Sequence, residues 1–230
     1  DTLDFSVHPY RLQYDEGETD NVYNVRSLQS SSIAQTGTLY YLPTNNNKKI
    51  YSIEVCIGAG TLPGAQIKGY LYVPTMDSIL AETETYTVNL ADINDIGDEK
   101  MITLPLTSPF ILSNANLTFP DIVIDSTTNE TEPNPFQNVV AAMVRVLDNE
   151  APFFIARSGR AAAGTTYLNY PSTEDLYYLL RIPMVRLKIF NTGANPGCTD
   201  PVAMNYSASY TTDDGSCDYP GCTQEQYDNY

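Results

Sequence analysis

The residues best suited to chemistry lie close together near the end of the chain. Residues 197–230 read GCTDPVAMNYSASYTTDDGSCDYPGCTQEQYDNY and hold three of the four cysteines. The ten residues from Gly221 repeat those from Gly197 at a period of 24, with Gly, Cys, Thr, Asn and Tyr recurring in step. A fixed period of this length indicates a repeat array. We therefore expect a complete repeat over residues 197–220 and a truncated second one over 221–230.

The cysteine spacing within the first repeat predicts a crosslink. Cys198 and Cys217 are 19 residues apart, and a unit with so few apolar side chains needs a disulfide in place of a hydrophobic core. We predict a Cys198–Cys217 disulfide, since the rival pairing of Cys217 with Cys222 would leave Cys198 single. A disulfide implies an oxidising compartment outside the cytosol. The remaining cysteine, Cys56, lies in the apolar stretch YSIEVCIGAG and is expected to be buried and inert.

The same repeat concentrates oxygen-bearing side chains around the turn-forming Gly215. Ca²⁺ takes about six to eight oxygen ligands on flexible loops. The sequence therefore predicts a calcium site made from Asp200, Asn205, Asp213, Asp214 and Asp218. The alternative is that Asp-Asp-Gly forms a turn and binds no ion.

A weaker metal candidate is the stretch DINDIGDE. It resembles a helix–loop–helix calcium loop only in part, because Ile96 occupies the fifth position, where that loop needs an oxygen ligand. A calcium site at the edge of a sheet remains an interpretation of this stretch, with Asp92, Asp95 and Asp98 as ligands.

Catalytic chemistry has little support in the sequence. The only histidine is His8, so a Ser-His-Asp or Cys-His system, or a His-ligated zinc site, would depend on that residue alone. A glycosidase would need two carboxylates at a set separation, which cannot be chosen from 28 acidic residues without a structure. We therefore predict that the chain is not an enzyme and has no catalytic residues.

Tyrosine is the unusual residue, with 18 copies and no tryptophan. In AQIKGYLYVP, Tyr70 and Tyr72 share one face of a predicted strand. Exposed rings stack on sugars or anchor protein partners, which makes this pair the candidate ligand contact. The alternative is that the rings cover the sandwich and bond their hydroxyls at its rim.

In ARSGRAAAG, Arg157 and Arg160 could clamp a carboxylate or pair internally.

Charge and hydropathy exclude several partners. Against 28 acidic residues stand 12 basic ones, a net charge of −16, which repels nucleic acid and anionic membrane surfaces. The longest uninterrupted apolar run, Val139 to Val144, is far shorter than the ~20 residues of a membrane helix. We expect no nucleic-acid partner and no direct membrane insertion.

Because the chain starts at Asp1 without a methionine or signal peptide, we interpret it as processed or excised from a longer protein.

Short β-branched and aromatic runs between Val22 and Phe190 must position these residues. Turn residues interrupt the runs about every dozen residues, and no βαβ rhythm is present. This pattern predicts an all-β fold, an antiparallel jelly-roll-like sandwich. The stretch NTGANPG marks a boundary. We predict a sandwich module with an N-terminal lead-in over 1–190, a linker over 191–196, and then the repeats.

The stretch GCTDPVAMNYSASYTTDDGSC resembles the GCTDPxAxNYxxxAxxDDGSC repeats of secreted and cell-surface proteins of the Bacteroidota. Those repeats often precede a sorting domain read by the type IX secretion system. Tyr210 departs from the pattern, which usually has a small residue there. More loosely, LPGAQIKGYLYVPTMDSILAETETYTV and YYLLRIPMVRL resemble β-sandwich modules of the same large proteins. The resemblance implies a jelly-roll-like module outside the cell.

Asp followed by Ser or Thr and then by an apolar residue or Thr is similar to the O-glycosylation sequon of the Bacteroidota. The resemblance implies a glycoprotein with candidate acceptors at Thr2, Ser78 and Ser126.

Together these features favour a non-catalytic extracellular or cell-surface module of a larger exported protein, with a role in adhesion or structure and a repeat stalk. Its expected partners are the rest of the polypeptide and a surface glycan or protein. Two alternatives stay open. One is an accessory domain of a secreted enzyme, for example a carbohydrate-binding one. The other is a subunit of an extracellular filament, which self-associates by pairing its strand edges.

Overall fold

The structure, a computed structural model, describes residues 11–12, 21–24, 35–41, 48–73, 78–95, 100–112, 122–124, 131–133, 139–147, 152–161, 165–170, 175–177 and 179–219. Within these ranges the regular elements are β-strands and a short 3-10 turn at Leu90–Asp92. The strands are β1 (Arg11–Leu12), β2 (Asn21–Asn24), β3 (Gln35–Tyr41), β4 (Lys48–Val55), β5 (Ile57–Gly58), β6 (Gln66–Val73), β7 (Ser78–Glu82), β8 (Tyr86–Thr87), β9 (Ile93–Asn94), β10 (Ile102–Leu112), β11 (Ile122–Ile124), β12 (Thr131–Pro133), β13 (Val139–Val146), β14 (Phe154–Arg160), β15 (Thr166–Tyr170), β16 (Asp175–Tyr177), β17 (Arg181–Pro183) and β18 (Val185–Asn191).

The described strands form a first sheet of four strands, a second of seven, a third of five and the separate β11–β12 pair. The order in the first sheet is β1-β18-β4-β10, and in the second it is β16-β15-β3-β13-β6-β7, with β8 beside β6. The third sheet has the order β17-β14-β5-β9, with β2 beside β14. The pairs with a described register are antiparallel, except that β5 runs parallel to β9. The predicted all-β, antiparallel, sandwich-like fold is confirmed.

The main hydrophobic core collects inward-facing residues from strands of all three sheets. In β6, Ile67, Leu71 and Val73 are almost completely buried, as the alternation of AQIKGYLYVP predicts. β13 is buried on both faces, because alternate residues enter the main core and a second cluster that includes Leu39 and Tyr70. A strand buried on both sides reads as a continuous apolar run, which explains the sequence VVAAMV.

Buried hydroxyl groups connect β3 to the C-terminal strands of the sandwich. The Tyr40 hydroxyl, in a fully buried side chain, donates to the carbonyl oxygen of Val185 at 2.5 Å. The Thr38 hydroxyl donates to the carbonyl oxygen of Pro183 at 3.1 Å. A buried polar group is costly unless it is hydrogen-bonded, so these bonds allow polar side chains to sit inside the core.

β10 is the terminal strand of the first sheet. Its register with β4 shifts between Pro105 and Phe110, which marks a bulge. Proline has no backbone N–H, so Pro105 and Pro109 remove two donors from this strand. Prolines and bulges make an edge a poor template for another strand.

The chain divides into two compact units, residues 1–189 and 190–230. The second unit contains the first repeat, and its described part consists of turns held by backbone bonds such as Gly197 N–H to the Thr212 oxygen at 3.0 Å. Gly197 lies under the ring of Tyr210, where a Cβ atom would come within 2.4 Å of ring carbons. The predicted second repeat, residues 221–230, lies outside the described residues.

Candidate functional site

The predicted tyrosine pair lies on one face of β6, with one ring buried and the other half-buried. Tyr70 is 2% exposed, and its hydroxyl donates to Oε1 of Gln35 on β3. The expectation that Tyr70 is an exposed ring is therefore wrong, because neighbouring groups cover it. Tyr72 is half-buried and meets Tyr70 edge-on, with 6.4 Å between ring centroids. Tyr72 is the remaining candidate contact of this pair.

A charged network covers Tyr70 from the direction of β13 and β7. The guanidinium of Arg145 lies 5.2 Å from the centre of the Tyr70 ring, within the range of a cation–π contact. Glu82 pairs with Arg145 through Oε1 at 3.0 Å and with Lys68 through Oε2 at 2.5 Å. These three charged side chains are between a fifth and a third exposed, so each pair contributes little on its own. The shared carboxylate of Glu82 connects Lys68 and Arg145 at the rim of this face.

Three arginines lie on one face of the β14–β17 pair. Arg160 stands directly opposite Arg181, and Ser158 stands opposite Ile182. Ser158 and Ile182 are 2% and 3% exposed, so they face the interior. The register shifts between Ser158 and Arg160, and the intervening Gly159 has a φ of 65°, a conformation that suits glycine in a bulge.

The bulge changes which side chains share a face. Without it, residues 157 and 160 would point to opposite sides of the strand. With the extra residue, Arg157 and Arg160 lie on the same face, and Arg181 joins them from β17. We call Arg157, Arg160 and Arg181 the arginine group. Arg160 and Arg181 are exposed, and Arg157 is half-buried.

The weaker metal candidates do not form a calcium cage in the described residues. Asp92 is 8% exposed, and its Oδ2 accepts hydrogen bonds from the Tyr86 hydroxyl at 2.7 Å and the Asn89 N–H at 2.8 Å. Burial and the bond to Asp92 raise the pKa of Tyr86. Asp92 therefore holds the turn at Leu90–Asp92. Asp95 is exposed, and Asp98 lies outside the described residues.

The Cys198–Cys217 disulfide is present in the second unit. Cys198 is 1% exposed, so the crosslink starts from the interior of the repeat. The predicted pairing is confirmed, and Cys222 lies outside the described residues. Cys56 is buried in the first unit and forms no disulfide, as expected.

The oxygen ligands predicted for calcium hold the turns of the repeat. Asp213 Oδ1 accepts the Gly215 N–H at 3.1 Å, and Asp214 Oδ1 accepts the Ser216 N–H at 2.9 Å. The Asn205 amide donates to the Ser216 oxygen at 2.5 Å and accepts the Asp218 N–H at 2.8 Å. These bonds are the turn chemistry named above as the alternative.

Calcium binding at these positions stays a prediction. In the part of the chain that the structure describes, no three Asp, Glu, His or Cys side chains are grouped so as to hold a metal ion.

Asp200 connects the two ends of the repeat through a contact that sequence reasoning missed. Its Oδ1 accepts the Val202 N–H at 2.9 Å, and its Oδ2 accepts the Tyr219 hydroxyl at 2.8 Å. The bond from Val202 and then the bond from Tyr219 lower the pKa of Asp200. The same contact raises the pKa of Tyr219. No spacing rule pairs residues 19 apart outside a helix or sheet, so the sequence offered no signal for this contact.

The structure describes one of the three predicted glycosylation acceptors. Ser78 begins β7, pairs with Val73 and is half-buried. Thr2 and Ser126 lie outside the described residues. O-glycosylation of the three residues stays a prediction.

A shallow cleft of about 340 Å³ lies between the β7–β8 region and β10. It is lined by Glu84, Thr85, Tyr86, Leu104, Pro105, Leu106 and Thr107. The cleft exposes more apolar than polar surface, Glu84 is its one carboxylate, and the Tyr86 hydroxyl donates to Asp92.

Comparison with known proteins identifies no family. No protein-family model and no curated protein matches the chain. Two solved structures overlap it in part. A clostridial cysteine protease, Cwp84 after propeptide cleavage, has 12% identity and a TM-score of 0.41, covering 74% of this chain and 37% of that one. The cysteine protease and lectin-like domains of Cwp84, a surface layer associated protein of Clostridium difficile, have 11% identity and a TM-score of 0.37, covering 75% and 36%. The chain spans little more than a third of these structures.

The described residues include no helix long and apolar enough to cross a bilayer.

Proposed function

We propose that the chain is a non-catalytic extracellular or cell-surface module of a larger exported protein. In this proposal the β-sandwich holds a ligand, and the crosslinked repeat begins a stalk that spaces it from the rest of the polypeptide. The observation that carries the proposal is the Cys198–Cys217 disulfide in a unit with almost no apolar core. Such a crosslink persists where thiols are kept oxidised.

The construction of the repeat suits a spacer. Among the described residues after 196, the buried apolar side chains are Cys198 and Ala203. Val202 and Met204 are 75% and 65% exposed, and the backbone is held by turn bonds together with carboxylate and amide caps. A unit of this kind gains its stability from a covalent ring and local turns, so it can be repeated without a continuous hydrophobic core.

The repeat's resemblance to Bacteroidota sequences supports export by the type IX secretion system as part of the proposal. The sandwich supplies the binding surfaces, with Tyr72 on one face and the arginine group on the third sheet. Assembly of a filament through β10 is not part of the proposal, because Pro105 and Pro109 weaken that edge for strand addition.

Surface labelling of intact source cells tests the location. A membrane-impermeant amine reagent should modify lysines of this chain on intact cells, and mass spectrometry of the labelled peptides measures this. Labelling that appears only after lysis would contradict an extracellular location.

A glycan array probed with the 230-residue chain tests the adhesive role. Binding without turnover of the bound glycan is the expected result, and release of cleaved product would indicate an enzyme instead.

A further inference from the structure

We propose that the cleft between the β7–β8 region and β10 binds a cationic amino sugar of a glycan. In this proposal Glu84 pairs with the ammonium group of the sugar, and the ring of Tyr86 packs on its C–H face. The inference rests on the proposed function and deepens it, since it names the chemistry of the glycan that the sandwich would hold.

The two walls of the cleft are fixed to each other. Thr83 forms an antiparallel β-bridge with Leu106, and the Thr107 hydroxyl donates to the carbonyl oxygen of Glu82 at 3.1 Å. On the β10 side, Leu104 and Leu106 are 1% and 6% exposed and belong to the main hydrophobic core. Because these contacts join both walls without a ligand, the cleft is preformed, and preformed sites lose less conformational entropy when they bind.

The Tyr86 ring lines this cleft in a fixed position. Tyr86 stands opposite Ile67 in the ladder of β8 with β6 and packs against the main core. Its hydroxyl donates to Oδ2 of Asp92 at 2.7 Å. The residue is half-buried, and the exposed Pro105 lies in the lining with it. A ring held in this way gives a sugar an apolar surface to pack on, at little cost in side-chain freedom.

Glu84 gives the cleft a negative charge that no lining residue balances, since none of them is basic. The Thr83 hydroxyl donates to the carbonyl oxygen of Glu84 at 2.8 Å, which holds the backbone that carries the carboxylate. Glu84 is exposed, and among the described residues no Lys or Arg side chain pairs with it. An ionised carboxylate only accepts hydrogen bonds, and an ammonium group only donates them, so the two form a charge-assisted bond.

The charge of the whole chain favours a cationic sugar over a neutral or acidic one. A net charge of −16 raises the concentration of cations near the surface and repels anionic glycans. A neutral sugar would bond the exposed carboxylate only through hydroxyl groups, in competition with water. The volume of about 340 Å³ lies near the lower end of the ~300–1,000 Å³ of small-molecule sites. The cleft therefore suits a short stretch of an amine-bearing glycan.

A basic peptide carries the same charge and is the alternative occupant. Peptides usually gain affinity by adding a strand to a sheet edge. At this cleft β10 contains Pro105 and Pro109, and β8 has only two residues. Prolines and short strands disfavour strand addition. A peptide would keep the charge contact alone, whereas a sugar ring uses the carboxylate and the tyrosine together.

Isothermal titration calorimetry with the 230-residue chain compares a glucosamine tetrasaccharide with the N-acetylglucosamine tetrasaccharide of the same linkage. The amine form should bind about tenfold more tightly, and its binding should weaken as salt is added. Glu84→Gln should weaken binding of the amine form about tenfold. Glu225→Gln makes the same change in net charge in the second repeat and should bind as the unchanged chain does. Tyr86→Leu should weaken binding about fivefold, and Tyr86→Phe, which keeps the ring, should weaken it less.

Three results would overturn the proposal: no binding of the amine tetrasaccharide, equal or tighter binding of the N-acetylated one, or unchanged binding in Glu84→Gln. Unchanged binding in Tyr86→Leu would remove the ring from the site. Equal affinity for tetralysine would overturn the saccharide assignment in favour of a basic peptide. A neutral or acidic glycan that binds on the array while the amine tetrasaccharide does not would refute this inference alone and leave the proposed function standing. Lysine labelling only after cell lysis would contradict the proposed function, whatever the calorimetry shows.

Discussion

Breaking the Cys198–Cys217 disulfide should unfold the second unit and leave the sandwich folded. The bond closes a ring across a sequence separation of 19 residues. In the loop-entropy model, a ring of this size stabilises the folded state by about 3 kcal/mol. Apolar burial contributes little to the stability of the repeat. Cys198 and Ala203 are the buried apolar side chains of the repeat among the described residues, and their burial is worth roughly 1–2 kcal/mol at ~0.8 kcal/mol per buried methylene. The stability lost with the disulfide ring therefore exceeds the stability that apolar burial contributes to the repeat.

Hydrogen exchange followed by mass spectrometry measures the two units separately. After reduction, amides in residues 197–219 that now bond within the repeat, such as the Met204 N–H to the Asp218 oxygen at 2.7 Å, should exchange at the rate of an unfolded peptide. Amides of β13, in the sandwich core, should keep their protection, because Cys56 is buried and carries no disulfide. Protection that survives reduction in residues 197–219 would refute the reasoning, since it would mean that turns and caps alone hold the repeat.

A variant with both crosslinking cysteines replaced by serine gives the control. Without reductant it should behave as the reduced chain does. If reductant changes the exchange of the serine variant further, the effect of reduction does not come from this disulfide.

Three further outcomes follow from contacts in the two units. Gly197→Ala should destabilise the repeat by about 1–3 kcal/mol, since its Cβ would lie 2.4 Å from ring carbons of Tyr210. Chemical denaturation should show most of that cost removed in a Tyr210→Ala background, and equal costs in both backgrounds would contradict the contact. Gly37→Ala should lower the unfolding temperature of the sandwich severely, because its Cβ would fall 1.8 Å from a backbone oxygen of β13; a soluble variant with unchanged melting would refute the close approach. The pKa of Asp200 is lowered on folding, so its contribution to stability is present above the ordinary carboxyl pKa and lost as pH falls through the lowered value. The pKa of Tyr219 is raised, so its contribution to stability is lost as the pH rises above about 10. NMR titration should find a higher Asp200 pKa in Tyr219→Phe. An unchanged Asp200 pKa would argue against the hydrogen bond.

Local patterns predicted the elements well because strands carry a period of two in the sequence itself. The alternation in AQIKGYLYVP and the apolar run VVAAMV correspond to β6 and β13, and their burial follows the pattern. Pairing was not accessible in the same way. β3 and β4 are neighbours in sequence across an Asn-rich stretch, yet they belong to different sheets. Which strands pair depends on packing between distant segments, and a local pattern carries no information about it.

The tyrosine face shows the same limit at the level of a site. The period of two placed Tyr70 and Tyr72 together correctly. It could not show that Tyr70 is covered, because the covering groups come from β3 and β13 through Gln35 and Arg145. Aromatic composition therefore predicted a surface without predicting which ring a ligand can reach.

The arginine group could be predicted from the sequence only in part. Glycine inside a strand pattern indicates a bulge, and ARSGR contains one between Arg157 and Arg160. Reading that glycine as an extra residue places both arginines on one face from sequence alone. The opposing Arg181 follows only from the register of β14 with β17.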